Sequence, residues 1–208
     1  EISRFRWNVL VCHRRFGKTV CMINHLIRSA LLSKNKNPRF AYIAPTFKQA
    51  KSIAWDYMKQ FTAKIPHTKF NETELRVDLP NGSRITLLGS ENSDGLRGIY
   101  LDGCVIDEYA NVNERLFPEI IRPALSDRKG YCVFIGTPQG MNNNFYELYQ
   151  HAQGAEDWFN YKAKASETKI VDNEELVKAK EVMGEKKYLQ EFECDWIANI
   201  EGAVYGDV

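Results

Sequence analysis

Three observations predict that this sequence folds as an α/β protein with a mostly parallel sheet between helical layers. Apolar runs of strand length alternate with stretches whose apolar residues recur at helical spacing. The runs are nearly unbroken rather than alternating, as strands buried on both faces require (residues 7–12, 40–44, 131–135). Three of them end in turns rich in Gly, Thr, Asp or Glu, and ligands of open α/β sheets bind at strand C-termini.

The first run, Trp7-Asn8-Val9-Leu10-Val11-Cys12, leads into His13-Arg14-Arg15-Phe16-Gly17-Lys18-Thr19. A helical pattern follows over 20–32, with Val20, Met22, Ile23, Leu26, Ile27, Ala30 and Leu31 at helical spacing. A strand, a tight loop and a helix opening at Gly-Lys-Thr make the layout of a phosphate-binding P-loop. Backbone N–H groups at the helix start present partial positive charge to phosphates. Lys18 adds a full charge, and the Thr19 hydroxyl can ligate Mg²⁺. His13, Arg14, Arg15, Phe16, Gly17, Lys18 and Thr19 are therefore the candidate nucleotide-binding residues. Cys12 stands where the usual pattern has its first glycine. The heptad by itself also fits an ordinary helix start with a surface lysine.

Gly103-Cys104-Val105-Ile106-Asp107-Glu108 supplies the second element, an apolar strand ending in adjacent acids. Asp107 would hold Mg²⁺ through water and Glu108 would polarise the attacking water as general base. The same pair could instead cap a following helix. Its order after the phosphate loop favours a nucleotide site. The run 131–135 ends in Gly136-Thr137-Pro138, which puts a hydroxyl and a permissive backbone beside the γ-phosphate position.

The remaining elements follow in order. A strand is predicted at 40–44 and a helix over 47–61. Strands at 75–79 and 84–88 flank Pro80-Asn81-Gly82-Ser83, a strong hairpin signal. A helix runs through Leu116, Ile120 and Ile121. Beyond Gly140 come a short helix to Gln150, a strand at 158–163 and a charged helical tail broken near Gly184. Residues 1–140 are expected to form the core and 141–208 a smaller, lid-like subdomain.

With 208 residues, 44% of them hydrophobic, the chain can bury one substantial core. A net charge of +1 is not that of a protein that coats nucleic acid, so any DNA grip must come from local lysines at 48–69 or 162–187. Five cysteines with no Cys-x-x-Cys pair argue against zinc or a disulfide framework, and Cys12, Cys104 and Cys132 read as small buried hydrophobes. A reduced, intracellular setting is expected. Neither a signal peptide nor an apolar run of membrane-spanning length is visible.

These blocks together resemble the ATPase domain of the large terminase subunit, the DNA-packaging motor of tailed bacteriophages. The resemblance runs through most of the chain. It rests on the deviant phosphate loop with Arg14 and Arg15, Ala44-Pro45-Thr46, Gly89-Ser90-Glu91-Asn92, Leu96-Arg97-Gly98, Asp107-Glu108, Gly136-Thr137-Pro138 and the tail from Tyr188 to Trp196. Helicases of the second superfamily share some of these blocks and are the nearest rival. A third possibility is a binding module whose nucleotide site is vestigial.

The resemblance implies a RecA/ASCE-like P-loop ATPase that takes ATP and Mg²⁺. It further implies Arg14 as a γ-phosphate sensor acting in cis, Thr137 in the motif coupling hydrolysis to movement, and Arg97 or Arg84 as an arginine supplied to a neighbouring subunit. Double-stranded DNA, a portal protein and a small terminase subunit are the implied partners of a ring homo-oligomer, with a monomer possible in isolation. The cytoplasm of the infected bacterial host is the implied setting. The family's nuclease domain would be expected to start where this chain stops, so an excised motor domain without nuclease activity is expected. The resemblance also implies that most of the adenine-contacting segment would precede residue 1, so Trp7 and Arg6 are the expected nearby groups that could stack on a base.

Overall fold

The computed structural model describes residues 2–91 and 96–197. Asn92, and residues 198–208 of the expected subdomain, lie outside the described residues.

Eight strands form one sheet in the order β3-β4-β5-β2-β6-β7-β1-β8. They are β1 (Trp7–Cys12), β2 (Arg39–Ala44), β3 (Lys69–Asn71), β4 (Arg76–Asp78), β5 (Arg84–Gly89), β6 (Gly103–Ile106), β7 (Tyr131–Gly136) and β8 (Trp158–Ala163). The six from β5 to β8 along the sheet run parallel, and β3 and β4 extend it antiparallel. The fold is thus the expected α/β architecture with a mostly parallel sheet. The hairpin insertion is present, lengthened by β3, which is too short to announce itself in the sequence.

Strand parity sorts the core into two layers. Val9, Val11, Ile43, Ile106 and Phe134 face one apolar layer. Leu10, Cys12, Tyr42, Val105 and Ile135 face the other, against helix α1 (Lys18–Leu32). That helix buries Met22, Ile23, Leu26, Ile27 and Ala30 on one stripe. The four larger side chains each contribute about 1.5–3 kcal/mol by leaving water. The helical stretch expected at 47–61 is three pieces: α2 (Phe47–Ala50), a wide π turn (Lys51–Trp55) and α3 (Asp56–Thr62). Thr46 and Gln49 cap its start reciprocally.

The boundary expected at residue 140 does not divide the fold there. Helix α4 (Asn144–Gly154) buries Phe145, Tyr149 and Ala152 in the first core layer. Strand β8 pairs with β1 along its whole length, from Trp7 opposite Trp158 to Cys12 opposite Ala163. A separate apolar cluster begins only at Ala165, where Leu176 and Phe192 join it. It draws on α5 (Ala165–Thr168), α6 (Asn173–Met183) and α7 (Glu185–Phe192). A change in composition at 141 marks where charge rises, whereas a backbone ladder to β1 decides what belongs to the core.

Candidate nucleotide-binding site

The C-terminal ends of β1, β6 and β7 lie side by side, with β7 between the other two. This register brings the loop after Cys12, the acids after Ile106 and the turn at Thr137 to one edge of the sheet.

The loop turns through two left-handed residues, Arg15 (φ 68°) and Gly17 (φ 86°). Cys12 is still in the strand, and the ladder extends past it: His13 N–H donates to the Ala163 carbonyl at 3.0 Å. A side chain is therefore tolerated where the common pattern has glycine, because the sharp turning occurs further along. Burial pushes the Cys12 thiol up to about 12 despite the opposing Lys18 charge. It stays uncharged, which suits a site for anions.

Two of the predicted phosphate donors are committed elsewhere. The Arg14 N–H donates to the Glu191 carbonyl at 2.8 Å, and the Phe16 N–H to the His13 carbonyl at 3.3 Å. The amides of Arg15, Gly17, Lys18 and Thr19 donate to no backbone carbonyl among the described residues. The amides left to an anion are accordingly fewer than the predicted residues 13–19 would supply. His13 is also engaged: its buried ring places Nδ1 2.6 Å from the Arg14 carbonyl and Nε2 2.8 Å from the Thr168 hydroxyl. Burial holds this histidine below its usual pKa, so at neutral pH Nδ1–H donates to the carbonyl and Nε2 accepts from Thr168. It braces the loop against the tail and presents neither ring nitrogen to a phosphate.

Lys18 is half-buried, with Nζ 3.4 Å from the Cys12 carbonyl and 3.5 Å from the His13 carbonyl. These contacts are long for hydrogen bonds, so the ammonium is not locked in place. Its charge reaches both acids. Burial raises the Asp107 carboxyl, and the Tyr42 hydrogen bond, the Lys18 charge and the Glu108 amide oppose that rise. Burial and then the neighbouring Asp107 raise Glu108, with Lys18 opposing. A carboxyl so raised is better placed as a proton acceptor. Glu108 itself is left-handed (φ 47°, ψ 48°), which turns the chain at once after the strand. Its amide donates to Asp107 Oδ1 at 2.9 Å. Gly136 on β7 lies against it: a Cβ there would come 3.6 Å from the Glu108 Cα and 3.2 Å from the Phe145 ring.

The second oxygen of Asp107 accepts a hydrogen bond from the hydroxyl of Tyr42, a wholly buried residue of β2. Burial, and the carboxylate beside it, push this phenol well above its usual pKa, so it is a neutral donor. Sequence reading passed over Tyr42 because an aromatic in a buried strand looks like core. The available signal was parity: Tyr42 faces α1, as does Val105, and Asp107 lies two residues further along the β6 chain.

The donor set suits a small hard cation. It offers a hydroxyl (Thr19) and a buried carboxylate (Asp107), and no group of three or more His, Cys, Asp or Glu able to hold a metal occurs among the described residues. A cation here would complete its shell with phosphate oxygens and water, the habit of Mg²⁺.

The arginines separate by position. Arg14 is exposed, lies 3.9 Å from Glu191, and acts electrostatically on Glu108. Arg97 is exposed and lies 3.5 Å from Glu119, an arrangement worth little in water. Arg84 sits at the start of β5, the opposite end of the sheet from the loop, and pairs with Asp78 at 2.6 Å. Trp7 and Arg6 are likewise at the far end of β1. Trp7 is core, against Phe117 and Trp158, and Arg6 donates to the Gly130 carbonyl at 3.0 Å, so neither is near a base bound at the loop. Among tail lysines, Lys164, Lys178, Lys180 and Lys187 each pair with a glutamate, which thins the expected basic patch. No helix among the described residues is long and apolar enough to cross a membrane.

Residues 11–205 match the family model of the terminase large subunit, T4likevirus-type, N-terminal. The large terminase subunits of Thermus phage G20c and Thermus virus P23-45 are each 29% identical over 126 residues, 51% of this chain. That stretch is about a quarter (26%) of either relative's length. Among solved structures, the large terminase ATPase domain of Thermus phage P74-26 superposes with a TM-score of 0.78 at 21% identity, covering 93% of this chain and 89% of that one. The large terminase of another thermophilic bacteriophage, in complex with ADP, gives 0.79 at 14% identity over 94% of this chain and 49% of its own. By its family match the chain belongs to the N-terminal domain family of T4-like terminase large subunits.

Proposed function

We propose that this chain is the ATP-hydrolysing motor domain of a phage DNA-packaging terminase, coupling Mg²⁺-dependent hydrolysis to translocation of double-stranded DNA into a procapsid. The convergence of Lys18, Thr19, Asp107 and Glu108 on one sheet edge carries the reading. Support comes also from the related large terminase ATPase domain of phage P74-26, and from a related terminase solved with ADP and with ATP-γ-S.

In this reading the amides of Arg15 and Gly17 to Thr19 receive the phosphates, and Lys18 swings from its carbonyl contacts to the β and γ oxygens. Thr19 and Asp107 would hold Mg²⁺, which when bound neutralises phosphate charge. Glu108 orients water for in-line attack and accepts its proton. Arg14 senses the γ-phosphate in cis, and Thr137 couples hydrolysis to movement. An apolar cavity of about 300 Å³ beside Lys18, lined in part by Ile2, Phe16, Cys21 and Phe159, is the candidate seat of the base. Arg97, exposed on the surface, is the better candidate for the arginine given to a neighbour in a ring. The residues from 165 onward act as the lid. Double-stranded DNA, a portal protein and a small terminase subunit are the partners, in the cytoplasm of an infected bacterial host.

The test is phosphate release at saturating Mg²⁺ and ATP, with portal and double-stranded DNA supplied. Glu108→Gln should bind ATP-γ-S as the wild type does and turn over about 10²–10⁴-fold more slowly. Wild-type turnover in Glu108→Gln would remove the general-base assignment.

A further inference from the structure

Tyr42 is a full-sized buried aromatic whose polar end emerges at the metal side of the site. An ionised carboxylate can only accept hydrogen bonds, so the single proton of the phenol goes to Asp107. The other carboxylate oxygen is fixed by the Glu108 amide at 2.9 Å. Each oxygen of Asp107 thus accepts from a donor of this chain, and together the two donors fix the orientation of the carboxylate.

We propose that Tyr42 is a positioning residue of the nucleotide site: its hydroxyl holds the Asp107 carboxylate in the orientation in which it would take Mg²⁺. This rests on the nucleotide-site reading above. Removing the hydroxyl leaves one carboxylate oxygen without its donor and frees the carboxylate to rotate. The loss falls on the metal-dependent part of binding, because Lys18 and the loop amides, which contact phosphate, are unaltered.

The test compares wild type with Tyr42→Phe, measuring ATP-γ-S affinity by calorimetry in excess EDTA and across a Mg²⁺ titration. Tyr42→Phe should bind within about twofold of wild type without metal, while the gain in affinity conferred by Mg²⁺ shrinks on the order of tenfold, the scale of one hydrogen bond to a charged group. An undiminished Mg²⁺ gain in Tyr42→Phe overturns the role given to Tyr42 and leaves the nucleotide site standing. Absence of any Mg²⁺ gain in the wild type overturns both. Should Tyr42→Phe fail to fold, 3-fluorotyrosine placed at position 42 gives an independent readout by ¹⁹F NMR. Its resonance should move when Mg²⁺ is added to the nucleotide-bound protein, and a resonance indifferent to Mg²⁺ contradicts the proposal.

Discussion

The backbone amide of Arg14 donates to the carbonyl of Glu191 at 2.8 Å, so the loop after β1 is tied directly to the last described helix. Two further links run in parallel. His13 meets Thr168 through its ring, and the Gln190 amide donates to the Pro138 carbonyl at 2.7 Å. Loop, tail and the turn after Thr137 therefore share one buried hydrogen-bonded seam.

Gln190→Ala should cost stability because the buried Pro138 carbonyl loses its side-chain donor. The expected loss is about 1–3 kcal/mol, the scale of stranding a buried polar group. Urea unfolding measures it. A midpoint equal to wild type would mean that water replaces the amide and that the seam is not structural.

Cys12→Gly restores the common loop pattern, yet it should make the protein worse. Cys12 is extended, paired with Ala163 and buried, so glycine there adds backbone freedom to a strand and removes a packed side chain. A loss of about 1–2 kcal/mol is expected, with no gain in ATP-γ-S affinity. Tighter nucleotide binding by Cys12→Gly would show that the deviant position limits the site.

Much of this was legible in the sequence, and what was not shares one cause. β1, β2, β6 and β7 announce themselves as unbroken apolar runs, so the end of the sheet at which Lys18, Thr19, Asp107 and Glu108 lie could be read directly. The strand at 158–163 was readable too, but its place beside β1 depends on a long-range ladder that local periodicity does not encode. Tyr42 and the Arg14–Glu191 link were hidden for the same reason. Each is a contact between residues distant in sequence, and each local pattern has a bland reading as core aromatic or surface helix. The π turns at Lys51–Trp55 and Phe117–Ile121 sit inside ordinary helical spacing and left no local signal.

His25 carries a pH prediction. Its Nε2 is buried without a hydrogen-bond partner among the described residues, its ring lies edge-on to Tyr131, and burial with the nearby Arg28 holds it below the ordinary value of 6.5. As pH falls through 6.5 the unfolded chain takes up a proton before the folded one does. Stability should therefore decline below that point and level off beneath the depressed folded value, and His13 adds in the same direction. His25→Phe keeps the ring contact and removes both the titration and the orphaned nitrogen. Urea midpoints at about pH 7.5 and about pH 5.5 should lie closer together in this variant than in wild type. An unchanged gap would show that His25 does not titrate differently on folding.

The central claim is that Lys18 and the two acids form one triphosphate site. Calorimetric titration of ATP-γ-S with Mg²⁺ into wild type and Lys18→Ala tests it most directly. The account predicts saturable binding of one nucleotide per chain to wild type, weakened at least about tenfold in Lys18→Ala, since a charge-assisted phosphate contact is lost. Equal affinity in the two proteins, or no saturation of wild type at nucleotide of about millimolar concentration, would contradict it.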